Sequence, residues 1–131
     1  MTVSVNEIYP QVKAVIADVL AIDETDITLD KSLVADLGAE SIDFLDLIFR
    51  LEREFKVKIP RGQIEKDIKE HMKDTEFEHN GIITPEGFIL LREYLSEVPA
   101  DRFISPLKSN AIPSLFTVET FCKLVIRAMN K

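Results

Sequence analysis

Ser41 and the carboxylates beside it, Glu40, Asp43 and Asp46, are the side chains of this sequence with the clearest capacity for chemistry. A serine hydroxyl is a weak nucleophile unless a neighbouring base takes its proton. The histidines, His71 and His79, fall in a separate polar stretch, so a serine–histidine–acid triad has no support and an independent hydrolase is a poor reading. Two readings of Ser41 remain. In one it caps a helix packed on the core, as serines at helix starts commonly do; the other rests on the motif around it, described below. His71, Asp74, Glu78 and His79 match no strong metal-ligand spacing, and no metal is expected. Cys122 is expected to act as a small buried hydrophobe.

The element that must position Ser41 is an amphipathic helix expected over Ser41 to Phe55. Gly38 tolerates backbone angles that strain other residues, so the chain can turn sharply into the helix start. Glu40 and Ser41 then fall where the first N–H groups have no helical partner. Apolar residues recur at helical spacing in two sets: Ile42, Leu45, Ile48 and Phe49, and Phe44, Leu47, Leu51 and Phe55. Asp43, Asp46, Arg50 and Arg53 form a polar strip. Ile59-Pro60 closes the segment, because the residue before a proline is driven out of helical geometry.

Asp36-Leu37-Gly38-Ala39-Glu40-Ser41-Ile42-Asp43 resembles the attachment motif of acyl carrier proteins, usually written D-x-G-x-D-S-L-D. Asp36, Gly38, Ser41 and Asp43 match it; Glu40 stands for the usual Asp and Ile42 for the usual Leu. The similarity runs on through Leu47, Leu51-Glu52, Glu54-Phe55 and Ile59-Pro60. Phe116-Thr117-Val118 and the amphipathic stretch after them resemble the family's C-terminal helix. The resemblance implies 4′-phosphopantetheine, taken from coenzyme A by a phosphopantetheinyl transferase and attached to Ser41. The chain would then be a phosphoprotein and a carrier, not an enzyme, holding an acyl group as a thioester. The resemblance also implies that Asp36, Glu40, Ile42, Asp43, Leu45, Asp46 and Phe49 dock partners. Those partners would be the transferase and ketosynthases, acyltransferases or related acyl-processing enzymes with basic patches. Leu47, Leu51 and Phe55 would line an acyl tunnel, which Phe88, Leu91 and Leu95 could extend. Ile83-Thr84-Pro85-Glu86-Gly87-Phe88-Ile89-Leu90-Leu91, after a short polar helix, is similar to specialised carriers of very-long-chain acyl groups in lipid A assembly. The plainer reading is that this insert enlarges the core.

The rest of the chain is mostly helical in pattern. Ser4 with Glu7 three residues on has the form of a capping box for a helix over Val5 to Leu20, with Ile8, Val12, Val15, Ile16, Val19 and Leu20 as its stripe and Pro10 as its weak point. Residues 21–37 read as a long loop with Ile22, Ile27, Leu29, Leu33 and Leu37 as isolated apolar pins, of which the resemblance makes Leu33 and Leu37 the anchors. Gly62 to Met72 reads as a short helix on Ile64, Ile68 and Met72, and Lys73 to Gly81 as a polar surface loop turning at Asn80-Gly81. Thr84-Pro85 starts a helix whose buried face is Phe88, Leu91, Tyr94, Leu95 and Val98. Residues 99–116 hold too many large apolars, Ile104 among them, for a free linker, and a packed irregular segment is expected. Thr117 caps a last helix, Val118 to Met129, with Phe121, Leu124, Val125, Ala128 and Met129 inward.

Composition sets the outer bounds. The chain has 131 residues, 46% of them hydrophobic, and mean hydropathy near zero, which suits one soluble globular domain. A net charge of −7 makes nucleic acid an improbable partner and favours basic docking surfaces. No run is long enough to span a membrane, the start lacks a basic-then-apolar signal, and the single cysteine suits a reducing compartment, so a cytoplasmic monomer is expected. The helical pattern and the resemblance together imply an all-α fold class: an acyl-carrier-like four-helix bundle with an inserted helical lobe between helix II and the C-terminal helix. Residues 1–131 form one carrier domain, with its core at 1–60 and 117–131 and the lobe at about 61–116. The expected function is presentation of an acyl thioester in fatty-acid or specialised lipid biosynthesis. The alternatives are an unmodified, carrier-like regulatory binding module and a carrier of aminoacyl or polyketide cargo.

Overall fold

A computed structural model describes residues 3–59, 63–72 and 75–130. The all-α class holds. Among the described residues five α-helices run in chain order: α1 (Val5–Leu20), α2 (Ser41–Phe55), α3 (Gln63–His71), α4 (Pro85–Tyr94) and α5 (Val118–Met129). They belong to two compact units. One comprises Met1–Ile59 with Phe116–Lys131, the other Pro60–Leu115.

The first unit packs α1 against both α2 and α5. Ser4 caps α1, its Oγ accepting from the Glu7 N–H at 3.3 Å, and Pro10 lies within the helix on its exposed side. The stripe expected for α1 buries Ile8, Val12, Val15 and Ile16, facing a core that includes Leu47, Leu51, Phe121 and Val125. Phe44, Phe116 and Phe121 gather their rings with centroids 5.7–6.2 Å apart, within the range of favourable edge and offset contacts. The loop after α1 is stitched to the start of α5. The Leu33 N–H donates to the Phe116 carbonyl, and the Val118 and Glu119 N–H groups donate to the carbonyls of Lys31 and Leu29, all at 3.0 Å. Leu33 is fully buried; Leu37 is only half-buried. Thr117 caps α5 through a reciprocal pair with Thr120. Of the stripe expected on α5, Phe121, Leu124 and Val125 are buried. Met129 is exposed, because it is the last helical residue and no longer faces the core.

The second unit holds α3 and α4. Ile64, Ile68 and Met72 are buried as their spacing requires, while Gly62 lies outside the described residues. The stretch read as a polar loop is instead a small hairpin, β1 (Glu78–His79) against β2 (Ile82–Ile83). Asn80 and Gly81 both have positive φ, 52° and 81°, the backbone that a two-residue hairpin loop demands. Phe77, next to β1, is buried. Thr84 caps α4, with Pro85 as its first residue; Leu91, Leu95 and Val98 are buried, Phe88 and Tyr94 half-buried. The Tyr94 hydroxyl donates to Asp67 Oδ2 at 2.6 Å and ties α4 to α3. Residues 99–115 form two 3-10 turns (Ala100–Arg102 and Ser109–Leu115) that bury Leu107, Ile112 and Leu115. Ile104, counted among the packed apolars, is 70% exposed, whereas Leu107, in the same stretch between the turns, is buried.

Candidate functional site

The turn into α2 is fixed before the helix begins. Asp36 Oδ2 accepts from the Ser32 N–H at 2.8 Å, and the Ala39 N–H donates to the Leu33 carbonyl at 2.7 Å. Ala39 is buried, which anchors the turn on the core. Gly38 has φ +75° and open space where a Cβ would stand, so its conformation rather than crowding calls for glycine. Glu40 then takes the cap position in extended geometry, and Ser41 is the first residue of α2. The reading of Ser41 as the cap is therefore corrected. The Glu40 N–H is met by Asp43, whose Oδ2 accepts it at 2.8 Å.

The remaining residues named from the sequence divide by face. Ile42 and Phe49 are 65% and 58% exposed, and Asp36, Glu40 and Asp46 are exposed, while Asp43 and Leu45 are half-buried. On the opposite side of α2, Leu47 and Leu51 are fully buried and Phe55 is half-buried. Phe88, Leu91 and Leu95 belong to the second unit, where Leu91 and Leu95 are buried. Sequence reasoning missed three structural jobs. Asp36 and Asp43 each hold a backbone N–H; for Asp43 the signal was the capping-box spacing from Glu40. Arg50 pairs with Asp18 of α1 at 2.7 Å, a long-range contact that helical spacing cannot reveal.

The other chemistry-bearing side chains are engaged elsewhere. His71 Nδ1 lies 2.9 Å from the Asp67 carbonyl oxygen and His79 Nδ1 lies 3.1 Å from Glu76. Both belong to the second unit, and Asp74 lies outside the described residues. Among the described residues no group of three histidine, cysteine or acidic side chains could hold a metal ion. Cys122 is fully buried on α5, and burial pushes its thiol up to about 12.

What remains at the start of α2 is a serine in the first helical position, with exposed neighbours on both sides. A helix start favours negative charge through its unpaired N–H groups and dipole, by about 0.3–1 kcal/mol at an exposed end.

Comparison with known proteins bears on the same stretch. The family model for the phosphopantetheine attachment site matches residues 10–69. The acyl carrier protein of Clostridium acetobutylicum is 44% identical over 59 residues, 45% of this chain and 77% of that protein. That of Thermotoga maritima is 42% identical over 60 residues, 46% of this chain and 74% of that protein. With the glycine turn, α2 and most of a carrier's length matched in this way, the chain belongs to the acyl carrier protein family, whose members carry 4′-phosphopantetheine covalently and serve acyl-processing enzymes rather than catalyse reactions themselves.

Proposed function

We propose that Ser41 is the residue to which 4′-phosphopantetheine is attached and that the chain presents acyl groups in fatty-acid or specialised lipid biosynthesis. The observation that supports this most is the placement of Ser41 as the first residue of α2, behind the Gly38 turn and between exposed Glu40 and Ile42. The arm supplies a thiol that holds the acyl group as a thioester. The chain's own residues position it. Asp36 and Asp43 fix the helix start, and Glu40, Asp46, Ile42, Leu45 and Phe49 give partners an acidic and apolar surface. Such charges chiefly raise the association rate and select among partners, which suits a transferase, ketosynthases and acyltransferases with basic patches.

The inner face of α2, with Leu47, Leu51 and Phe55, is one place for the acyl chain. The buried face of α4, with Phe88, Leu91 and Leu95, is a separate one. Residues 60–115 make a lobe inserted into a carrier core, in keeping with cargo bulkier than that of a general fatty-acid carrier, including very-long-chain acyl groups of lipid A assembly. The single cysteine suits a cytoplasmic setting. Incubation with coenzyme A, Mg²⁺ and a phosphopantetheinyl transferase should raise the intact mass by one phosphopantetheine, and Ser41→Ala should abolish the gain. An unchanged mass, or a gain that survives Ser41→Ala, contradicts the assignment. Cargo on protein purified from its native host would identify the pathway.

A further inference from the structure

We propose that α2 pairs with α2 of a second copy of this chain, antiparallel, about a two-fold axis between residues 49 and 50. Ile42, Asp46, Phe49 and Arg53 recur every three or four residues and so share one side of the helix. That side points away from the core made by Leu47 and Leu51. Two large apolar side chains stand on it, Ile42 at 65% and Phe49 at 58% exposure. Asp46 and Arg53 are exposed there too, and neither has an ion-pair or hydrogen-bond partner among the described residues. The face runs from acid to base: Glu40 and Asp46 lie toward the helix start, Arg53, Lys56 and Lys58 toward and beyond its end.

A face of this kind is complementary to itself when reversed. Asp46 and Arg53 are equally far in sequence from the step between residues 49 and 50. An antiparallel copy aligned at that step therefore sets Asp46 opposite Arg53 of the second copy, and symmetry repeats the contact. The same register brings the Phe49 rings of the two copies together beside the axis. It points Ile42 toward the far end of the second copy's helix, where a groove of about 420 Å³ is lined by Phe49, Glu52, Arg53, Lys56, Val57 and Lys58. Of the acids and bases on this face, Glu52 is partly engaged by the Ile59 N–H at 2.7 Å, and Arg50 is taken by Asp18. The contact is one helix long, about 22 Å, and the net charge of −7 opposes it. Association is therefore weak, in the micromolar to millimolar range. Such a pair covers the docking face proposed above, so self-association and partner docking compete.

Sedimentation equilibrium of the full chain across that concentration range tests the pairing without any modification of Ser41. The wild type should rise from one chain mass toward two. Arg53→Glu and Asp46→Arg, both at exposed positions, should each weaken association roughly tenfold, because like charges then meet twice. An equimolar mixture of the two variants should associate again, since each restores the opposite charge for the other. A wild type that stays monomeric, singles that associate as well as the wild type, or a mixture that stays monomeric would each overturn the proposal. Circular dichroism of each single variant shows whether its helix content is intact. Should one lose helix, Arg53→Gln and Asp46→Asn replace the pair, with a smaller expected loss for each.

Discussion

A Cβ placed on Gly87 would stand 2.6 Å from the carbonyl oxygen of Phe77 and 2.9 Å from its ring. That carbonyl is backbone, held by the Thr84 N–H at 2.9 Å, so it cannot swing aside. Glycine inside a helix costs about 1 kcal/mol relative to alanine, and Gly87→Ala would ordinarily stabilise α4. Here the overlap wins. Gly87→Ala is expected to destabilise the second unit by about 1–3 kcal/mol, read as a lower denaturation midpoint with faster amide exchange in α4. A midpoint that stays or rises contradicts the close approach.

Asp43 separates capping from docking. Its carboxylate holds the Glu40 N–H at 2.8 Å, and losing such a cap costs about 0.5–2 kcal/mol. Asp43→Ala should therefore lower stability, whereas Asp43→Asn keeps an acceptor and should recover most of it. Both variants lose the negative charge beside Ser41. If the charge steers the transferase, both should be modified more slowly, and the Asn variant should be slow while stable. Equal stability for all three proteins would show that the bond contributes nothing.

Glu65 makes the second unit sensitive to pH. Burial raises its carboxyl above the ordinary 4.5, Glu78 adds to the rise and Lys69 opposes it. Glu78 contributes an Oε2 that is buried without a hydrogen-bond partner among the described residues. A carboxyl whose folded value lies above its unfolded value binds more protons when folded. Its contribution is thus fully present below 4.5 and is lost as pH rises through the folded value. Glu65→Gln should be more stable than the wild type at neutral pH, and the difference should shrink on acidification. A difference that grows on acidification would reverse the assigned direction.

Legibility in the sequence followed the range of the interaction. Helical spacing located α1, α2 and α5 because each buries a single stripe, and the caps at Ser4, Thr84 and Thr117 are contacts within one turn. The start of α2 was legible from Gly38 and the motif around it. The hairpin at residues 78–83 was missed because two-residue strands have no room for an alternating pattern, although Asn80-Gly81 marked its turn. The pairing of Arg50 with Asp18, and the Gly87–Phe77 approach, depend on tertiary placement and leave no local trace. Exposure at Ile104 and Met129 was invisible for the same reason, since hydrophobicity states a preference and not a position.

Cys122 supplies the last expectation. It is fully buried, and its thiol is pushed up to about 12, chiefly by burial and further by the charge of Glu119. Alkylation requires the thiolate and access to it, and native Cys122 offers neither. Iodoacetamide at mildly alkaline pH should leave the unmodified native protein intact over hours and label it once denatured. After transfer of phosphopantetheine, one fast-reacting thiol should appear, and peptide mapping should place it on the arm and not on Cys122. Rapid labelling of Cys122 in the native state would mean that α5 opens readily, which its capped start and buried face do not allow.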